Sequence, residues 1–166
     1  MGIEIERKYL LASDIWRDEV TEVFLLRQGY LSTTPECTVR IRINGSSAFL
    51  AIKGKNVGGS APEFEFPIPL AEATQTLDTL AKKPLIEKKR HLIPRDGLVW
   101  EVDEFLGRNT GLILAEVELA SPNQAVPLPP WLGREVTGDF RYYSANLVGY
   151  PFVDWNDGIA LSGFVL

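Results

Sequence analysis

From Ile3 to Leu10 the chain alternates. Glu4, Glu6 and Lys8 fall on one face of an extended strand, and Ile3, Ile5, Arg7 and Tyr9 fall on the other. The same period of two returns along the chain. Leu25 to Ser32 reads as a strand with Gln28 and Tyr30 on one face, and Thr38 to Asn44 as one with Arg40 and Arg42 together against Val39, Ile41 and Ile43. Asn44-Gly45 signals a hairpin into Phe49 to Lys55, where Lys53 and Lys55 oppose Leu50 and Ile52. Glu63 to Ile68 sets Glu63 and Glu65 against Phe64 and Phe66. Leu85 to Ile93 aligns Lys88 with Arg90, Leu98 to Phe105 aligns Glu101 with Asp103, and Leu112 to Leu119 aligns Glu116 with Glu118.

Helical spacing is rarer. Leu70 to Lys82 carries Leu70, Ala73, Leu77 and Leu80 at helical intervals and stops before Pro84. Ser13 is placed to cap a short amphipathic segment from Asp14 to Val23. Asp139 to Val148, with Phe140, Tyr143 and Leu147 on one side, reads as a further helix. Thr33 to Glu36, Asn56 to Pro62 and Gly107 to Gly111 are turns or loops, and Ser121 to Pro130 is proline-rich and irregular. No period organises Tyr150 to Leu166. The expectation is one domain over residues 1–166, of about eight strands and two or three helices.

The charges change this picture. Most strands carry one sign only, whereas a solvated sheet face intersperses the two. Segregated acids and bases, each at i and i+2, suggest a sheet closed on itself. Its apolar faces then point outward under the helices and the tail, and its charged faces line a lumen. Adjacent carboxylates repel each other, and a hard divalent cation makes them compatible. Arginine forks and lysine ammonium groups suit phosphate oxygens. A chain of phosphates with bound metal would satisfy both walls. The plainer reading of these residues is a set of cross-strand salt bridges, and both readings hold together.

Composition narrows the rest. The chain has 166 residues, 45% hydrophobic and 23% charged, an ordinary globular balance. A formal net charge of -5 argues against a nucleic-acid partner. Cys37 is the single cysteine, so no internal disulfide and no cysteine-rich zinc site is expected. With no signal-like start and no long apolar run, a cytoplasmic protein without membrane contact is expected.

The motifs in order resemble the CYTH superfamily, the triphosphate tunnel metalloenzymes. They are Glu4-x-Glu6-x-Lys8, Gln28-Gly29-Tyr30-Leu31, Arg40-Ile41-Arg42, Ile52-Lys53, Glu63-x-Glu65, Glu87-Lys88-x-Arg90, Glu101-x-Asp103, Glu116-Val117-Glu118 and Val136-Thr137-x-Asp139-x-Arg141-Tyr142 with Asn146. The short length and the Gln-Gly-Tyr-Leu and Glu-Lys-x-Arg segments look most like the small bacterial inorganic tripolyphosphatases. The resemblance implies an all-β dominated α+β fold, an eight-stranded antiparallel closed β-barrel with a few flanking helices. It implies metal-dependent hydrolysis of a triphosphate, with inorganic tripolyphosphate giving pyrophosphate and phosphate, and Mg²⁺ or Mn²⁺ as cofactor. A thiamine or nucleoside triphosphatase, a class IV-type adenylyl cyclase and a non-catalytic polyphosphate or nucleotide binder are the alternatives.

On that basis Glu4, Glu6, Glu116 and Glu118 are expected to bind metal, and Glu63, Glu65, Glu101 and Asp103 to hold a second metal or orient bases. Lys8, Arg40, Arg42, Lys53 and Arg90 are expected to grip phosphate, and Arg141 to close over it. Lys88 is expected to activate or position water, with Tyr30 assisting. His91 alternates out of phase with Lys88 and Arg90 and should face away from the lumen. Lys55 should lie beyond the tunnel end. The expected partner is a small-molecule triphosphate; a homodimer is allowed but not determined.

Overall fold

In a computed structural model, which describes residues 2–155, the chain forms one antiparallel sheet closed into a barrel. The strands are β1 (Gly2–Leu11), β2 (Glu22–Thr34), β3 (Cys37–Asn44), β4 (Ser47–Gly54), β5 (Ser60–Ile68), β6 (Ile86–Arg95), β7 (Leu98–Phe105), β8 (Ile113–Glu118) and β9 (Leu132–Glu135). Pairing runs β5-β4-β3-β2-β6-β7-β8-β1, and β1 returns to β5 through Gly2 opposite Glu63. Those eight strands close the barrel as the charge segregation requires. The short β9 pairs with the end of β1 near Tyr9 and Leu11, and no alternation in the sequence announced it.

Gly45 at φ +61° opens the tight turn between β3 and β4, a conformation that glycine adopts without steric cost. The pleat then sorts side chains by parity. Inward go Glu4, Glu6 and Lys8, Arg40 and Arg42, Lys53, Glu63 and Glu65, Lys88 and Arg90, Glu101, and Glu116 and Glu118, all of which line one cavity.

The outward faces are covered in two places. Helix α1 (Leu70–Thr79) lays Ala73 and Leu77 on Ile41 and Ala48. Trp16 and Trp131 cover Tyr9, Trp100, Ile93 and Val117. Phe64 and Phe66, outward on β5, remain exposed.

Gly29 shows how tightly α1 sits. A Cβ there would lie 2.8 Å from Ala81 Cβ and 2.9 Å from Leu77 Cδ2. Both neighbours are buried, so they cannot swing aside. Gly29→Ala is therefore expected to destabilise the fold by about 1–3 kcal/mol, the usual cost of overpacking. Urea denaturation measures it, and an unchanged midpoint would show that α1 shifts freely on the barrel.

Local helix signals fared worse than the alternation. The segment expected from Asp14 to Val23 is a 3₁₀ turn, Ile15–Glu19, because β2 begins at Glu22 to pair with β6 at Leu92. The Ser13 hydroxyl is buried without a partner among the described residues, so it does not cap this turn. Helix α1 ends at Thr79, leaving Leu80 exposed. The expected helix from Asp139 to Val148 is split into a 3₁₀ turn, Phe140–Tyr142, and α2 (Ser144–Gly149). Asp139 takes the Arg141 amide at 3.1 Å, and Tyr143 between the two turns is extended.

The largest departure concerns what fills one barrel end. Leu147, Val148, Phe152 and Trp155 pack against Leu10, Ile86, Phe105 and Leu114. Leu10, Ile86 and Leu114 share the inward parity of Lys8, Lys88 and Glu116. The C-terminal segment thus plugs the lumen at that end, rather than lying over the outer surface with the helices. Residues 156–166, the rest of the tail without period, lie outside the described residues.

Candidate functional site

The cavity has a volume of about 830 Å³ and is open at its mouth. The closing of β1 onto β8 brings Glu6 directly opposite Glu118, and Lys8 opposite Glu116. Across the lumen, the β2–β3 and β3–β4 hairpins carry Arg40, Arg42 and Lys53, and β6 carries Lys88 and Arg90. One wall is acidic and the other basic, and ion pairs join them at the seams.

Lys53 bonds Glu4, and its ammonium lies 3.9 Å from Glu6 and 4.0 Å from Glu63. Lys8 pairs with Glu116 at 3.3 Å, reaches the Tyr142 carbonyl at 3.4 Å and lies over the Tyr143 ring. Asp103, with no exposed surface, bridges Lys88 at 2.6 Å and Arg90 at 2.7 Å. Glu101 holds the other side of Arg90 at 2.7 Å, and Glu65 lies 3.6 Å from Arg40. Each of Glu63, Glu65, Glu101 and Asp103 thus lies within ion-pair distance of a basic side chain.

These contacts and the burial around them move the proton affinities apart. Burial pushes the Glu6 carboxyl up to about 8, and Glu116 and Glu4 add to the rise. Burial and the neighbouring Glu4 carry Glu63 up to about 7. Glu116 goes the other way: burial would raise it, but Lys8, Lys88 and Arg90 together outweigh that and hold it at about 2. Asp103 is kept far below the carboxylate range, since Arg90 and Lys88 together overcome its burial. Burial brings Lys88 down to about 8 in spite of Asp103, with Arg90 and Arg42 contributing. Burial is a larger cause of this lowering than the cationic neighbours.

Other expected residues fall into place less uniformly. Tyr30 lines the cavity and also packs in the apolar end cluster with Ile86 and Phe105. Arg141 is not among the lining residues; it pairs with Asp139 at 3.2 Å and lies over the Tyr142 and Trp155 rings. Lys55, expected beyond the tunnel, sits past the end of β4 yet lines the cavity mouth. His91 faces outward as its parity requires, edge-on to Trp16 and 3.2 Å from Glu104.

The roles of three residues escaped the sequence reading. Asn56 Oδ1 accepts hydrogen bonds from the Gly59 amide at 3.0 Å and from the Tyr143 hydroxyl at 3.1 Å, tying the β4–β5 loop to the C-terminal segment at the mouth. Gly59, at φ +86°, comes so close that a Cβ would lie 2.5 Å from the Glu6 carbonyl oxygen. The loop read from Asn56 to Pro62 is thus pinned to β1. Gln28, noted only for its parity, accepts a hydrogen bond from Arg42 Nε at 3.0 Å.

Comparison with known proteins agrees with this geometry. The model of the CYTH domain matches residues 2–148. An inorganic triphosphatase of Acetivibrio thermocellus is 43% identical over 157 residues, covering 95% of this chain and all of the relative. An inorganic triphosphatase of Nitrosomonas europaea is 38% identical over 149 residues, covering 87% of this chain and 95% of the relative. A crystal structure of an inorganic triphosphatase superposes with a TM-score of 0.61 at 34% identity, over 89% of this chain and 95% of the other. A model match over most of the chain, two relatives covered almost end to end and a closed charged barrel place this chain in the CYTH family.

Proposed function

We propose that this protein hydrolyses a terminal phosphoanhydride of a linear triphosphate, converting inorganic tripolyphosphate to pyrophosphate and phosphate, with Mg²⁺ or Mn²⁺ as cofactor. One observation carries the reading: a single lumen sets a wall of guanidinium and ammonium groups across from a wall of carboxylates. A binder of phosphate needs the first wall; the second suits the cation that accompanies a polyphosphate. The names of the two relatives support the same substrate class.

The carboxylates fit a divalent cation by their chemistry. Glu4, Glu6 and Glu118 are hard oxygen donors, and burial beside other acids leaves Glu6 short of positive charge. Glu116 would join them by giving up part of its bond to Lys8. As they stand, no three carboxylates among the described residues converge closely enough to enclose an ion, and the Lys53 ammonium lies among Glu4, Glu6 and Glu63. When bound, the metal would neutralise phosphate oxygens and polarise the scissile phosphoryl group.

The chain's own residues do the rest. Arg40, Arg42 and Arg90 hold the phosphates in line, Lys8 completes the grip from the acidic wall, and Lys53 completes it at the seam between the walls. Asp103 fixes the direction of both Lys88 and Arg90. Lys88, titrating near 8, takes a proton from the attacking water or positions it, and Tyr30 lines the same cavity.

The test is phosphate release from tripolyphosphate, thiamine triphosphate and ATP, side by side with Mg²⁺ and Mn²⁺. Tripolyphosphate is expected to turn over fastest and only with metal. A cyclic nucleotide from ATP would move the reading to a cyclase, and tight binding without phosphate release would make this a binding protein.

A further inference from the structure

Five cations that point into the lumen from the barrel strands each have a carboxylate within ion-pair distance. Lys8 has Glu116, Arg40 has Glu65, Lys53 has Glu4, Lys88 has Asp103, and Arg90 has Asp103 and Glu101. Arg42 has none among the described residues. Its partner is the neutral amide of Gln28, which faces it directly across the β2–β3 pairing and accepts from Nε at 3.0 Å. Gln28 has no exposed surface, and its own amide nitrogen is buried without a partner among the described residues. That orphan donor is costly, and a residue of similar size without it, such as methionine, would avoid the cost. The carbonyl bond to Arg42 accounts for a glutamine here.

The chemistry explains why an amide serves. A guanidinium bound through Nε has its plane set, and its two terminal nitrogens are left for another acceptor. A carboxylate at position 28 would set the same plane but would also cancel the charge. Arg42 is crowded by Arg40 and Arg90, and its burial together with that crowding lowers its proton affinity. The site therefore carries a cation that is oriented but not neutralised, with positive charge left over for an incoming anion.

We infer that Gln28 is a positioning residue for substrate: it aims Arg42 at the phosphate chain while leaving the full charge of Arg42 for that chain. The inference rests on the proposed triphosphate site and deepens it. Gln28 does not touch substrate; it acts through Arg42.

Two substitutions test it, read by calorimetric titration with tripolyphosphate in metal-free buffer, by steady-state kinetics and by thermal melting. Gln28→Glu keeps the acceptor and pairs with Arg42. It is expected to weaken tripolyphosphate binding and raise KM at least tenfold, with a melting temperature equal to or above wild type. A residue of purely structural importance would not combine retained stability with lost affinity. Gln28→Met removes the acceptor and is expected to raise KM severalfold with a smaller change in kcat. Placed on Arg42→Ala, it should weaken binding less than twofold further, since the group it aims is gone. Unchanged affinity in Gln28→Glu overturns the inference, as does a Gln28→Met effect of equal size with and without Arg42. Should Gln28→Met fail to fold, Gln28→Glu alone decides. Wild-type protein that neither binds nor hydrolyses tripolyphosphate overturns the triphosphate reading itself and this inference with it.

Discussion

Glu6→Gln is expected to lower Mg²⁺-dependent turnover at least about a hundredfold, on the scale of removing a strong electrostatic contributor from a buried site. The substitution keeps size and removes charge. Glu6 faces Glu118 across the β1–β8 pairing and has Glu4 two residues away on the same face, so it stands at the centre of the acidic wall. A second readout separates this role from a merely structural one. In the folded protein without metal, burial and Glu116 hold the Glu6 proton up to about 8, whereas an unperturbed glutamate releases it near 4.5. Between those values the folded state binds more protons than the unfolded one. Stability then falls as pH rises through that window. Glu6→Gln cannot titrate, so the metal-free variant should lose this slope and match or exceed wild-type stability at pH 8, as chemical denaturation would show. Turnover that survives in both Glu6→Gln and Glu118→Gln would place the metal elsewhere.

Arg42→Ala and Lys88→Ala are expected to fail in different ways. Losing an interaction made equally in ground and transition states raises KM, and losing one made only in the transition state lowers kcat. In the proposed function Arg42 holds phosphate throughout, so Arg42→Ala should raise KM for tripolyphosphate strongly. Some loss of kcat should follow, because a loosely held chain is also misaligned. Lys88→Ala should lower kcat by about a hundredfold or more with a smaller change in KM, within the span of general-base contributions. The proton affinity of Lys88 supplies a further check. Below about 8 the ammonium is charged and bound to Asp103; above it the amine is free to accept a proton. Wild-type kcat at saturating Mg²⁺ should therefore rise with pH through that region, and the limb should vanish in Lys88→Ala. Normal kcat with weakened binding in Lys88→Ala would make Lys88 one more phosphate clamp and leave the water to the metal.

The alternating charges were legible because a strand reports its two faces with a period of exactly two residues, and register errors flip a whole face. The side-chain sets of Glu4, Glu6 and Lys8, of Arg40 and Arg42, and of Lys88 and Arg90 thus specified which groups share a wall before any pairing was known. Helices were less legible. Asp14 to Val23 and Asp139 to Val148 have helical spacing, yet the first yields to β2 pairing with β6 and the second breaks at Tyr143. Propensity over so short a segment is weaker than a ladder of strand hydrogen bonds or the packing of a barrel end.

The sequence by itself determined the lumen's contents: single-sign strands, inward parity, and a barrel as the closure that puts acids and bases in one space. Partner choice was decided only by the tertiary structure. Parity says that Asp103, Glu101, Lys88 and Arg90 point inward, but which carboxylate meets which base depends on the register of β6 on β7. That register gives Lys88 and Arg90 a shared Asp103, and the register of β2 on β3 sets Gln28 opposite Arg42. The plug is of the same kind. Phe152 and Trp155 have no period to announce them, and they find the barrel end because the inward residues there, Leu10, Ile86 and Leu114, are apolar where the rest of the lumen is charged. Apolar surface in a closed barrel can be hidden only by more apolar chain, and which part of the chain reaches it is settled by connection length and closure, neither of which a local pattern records.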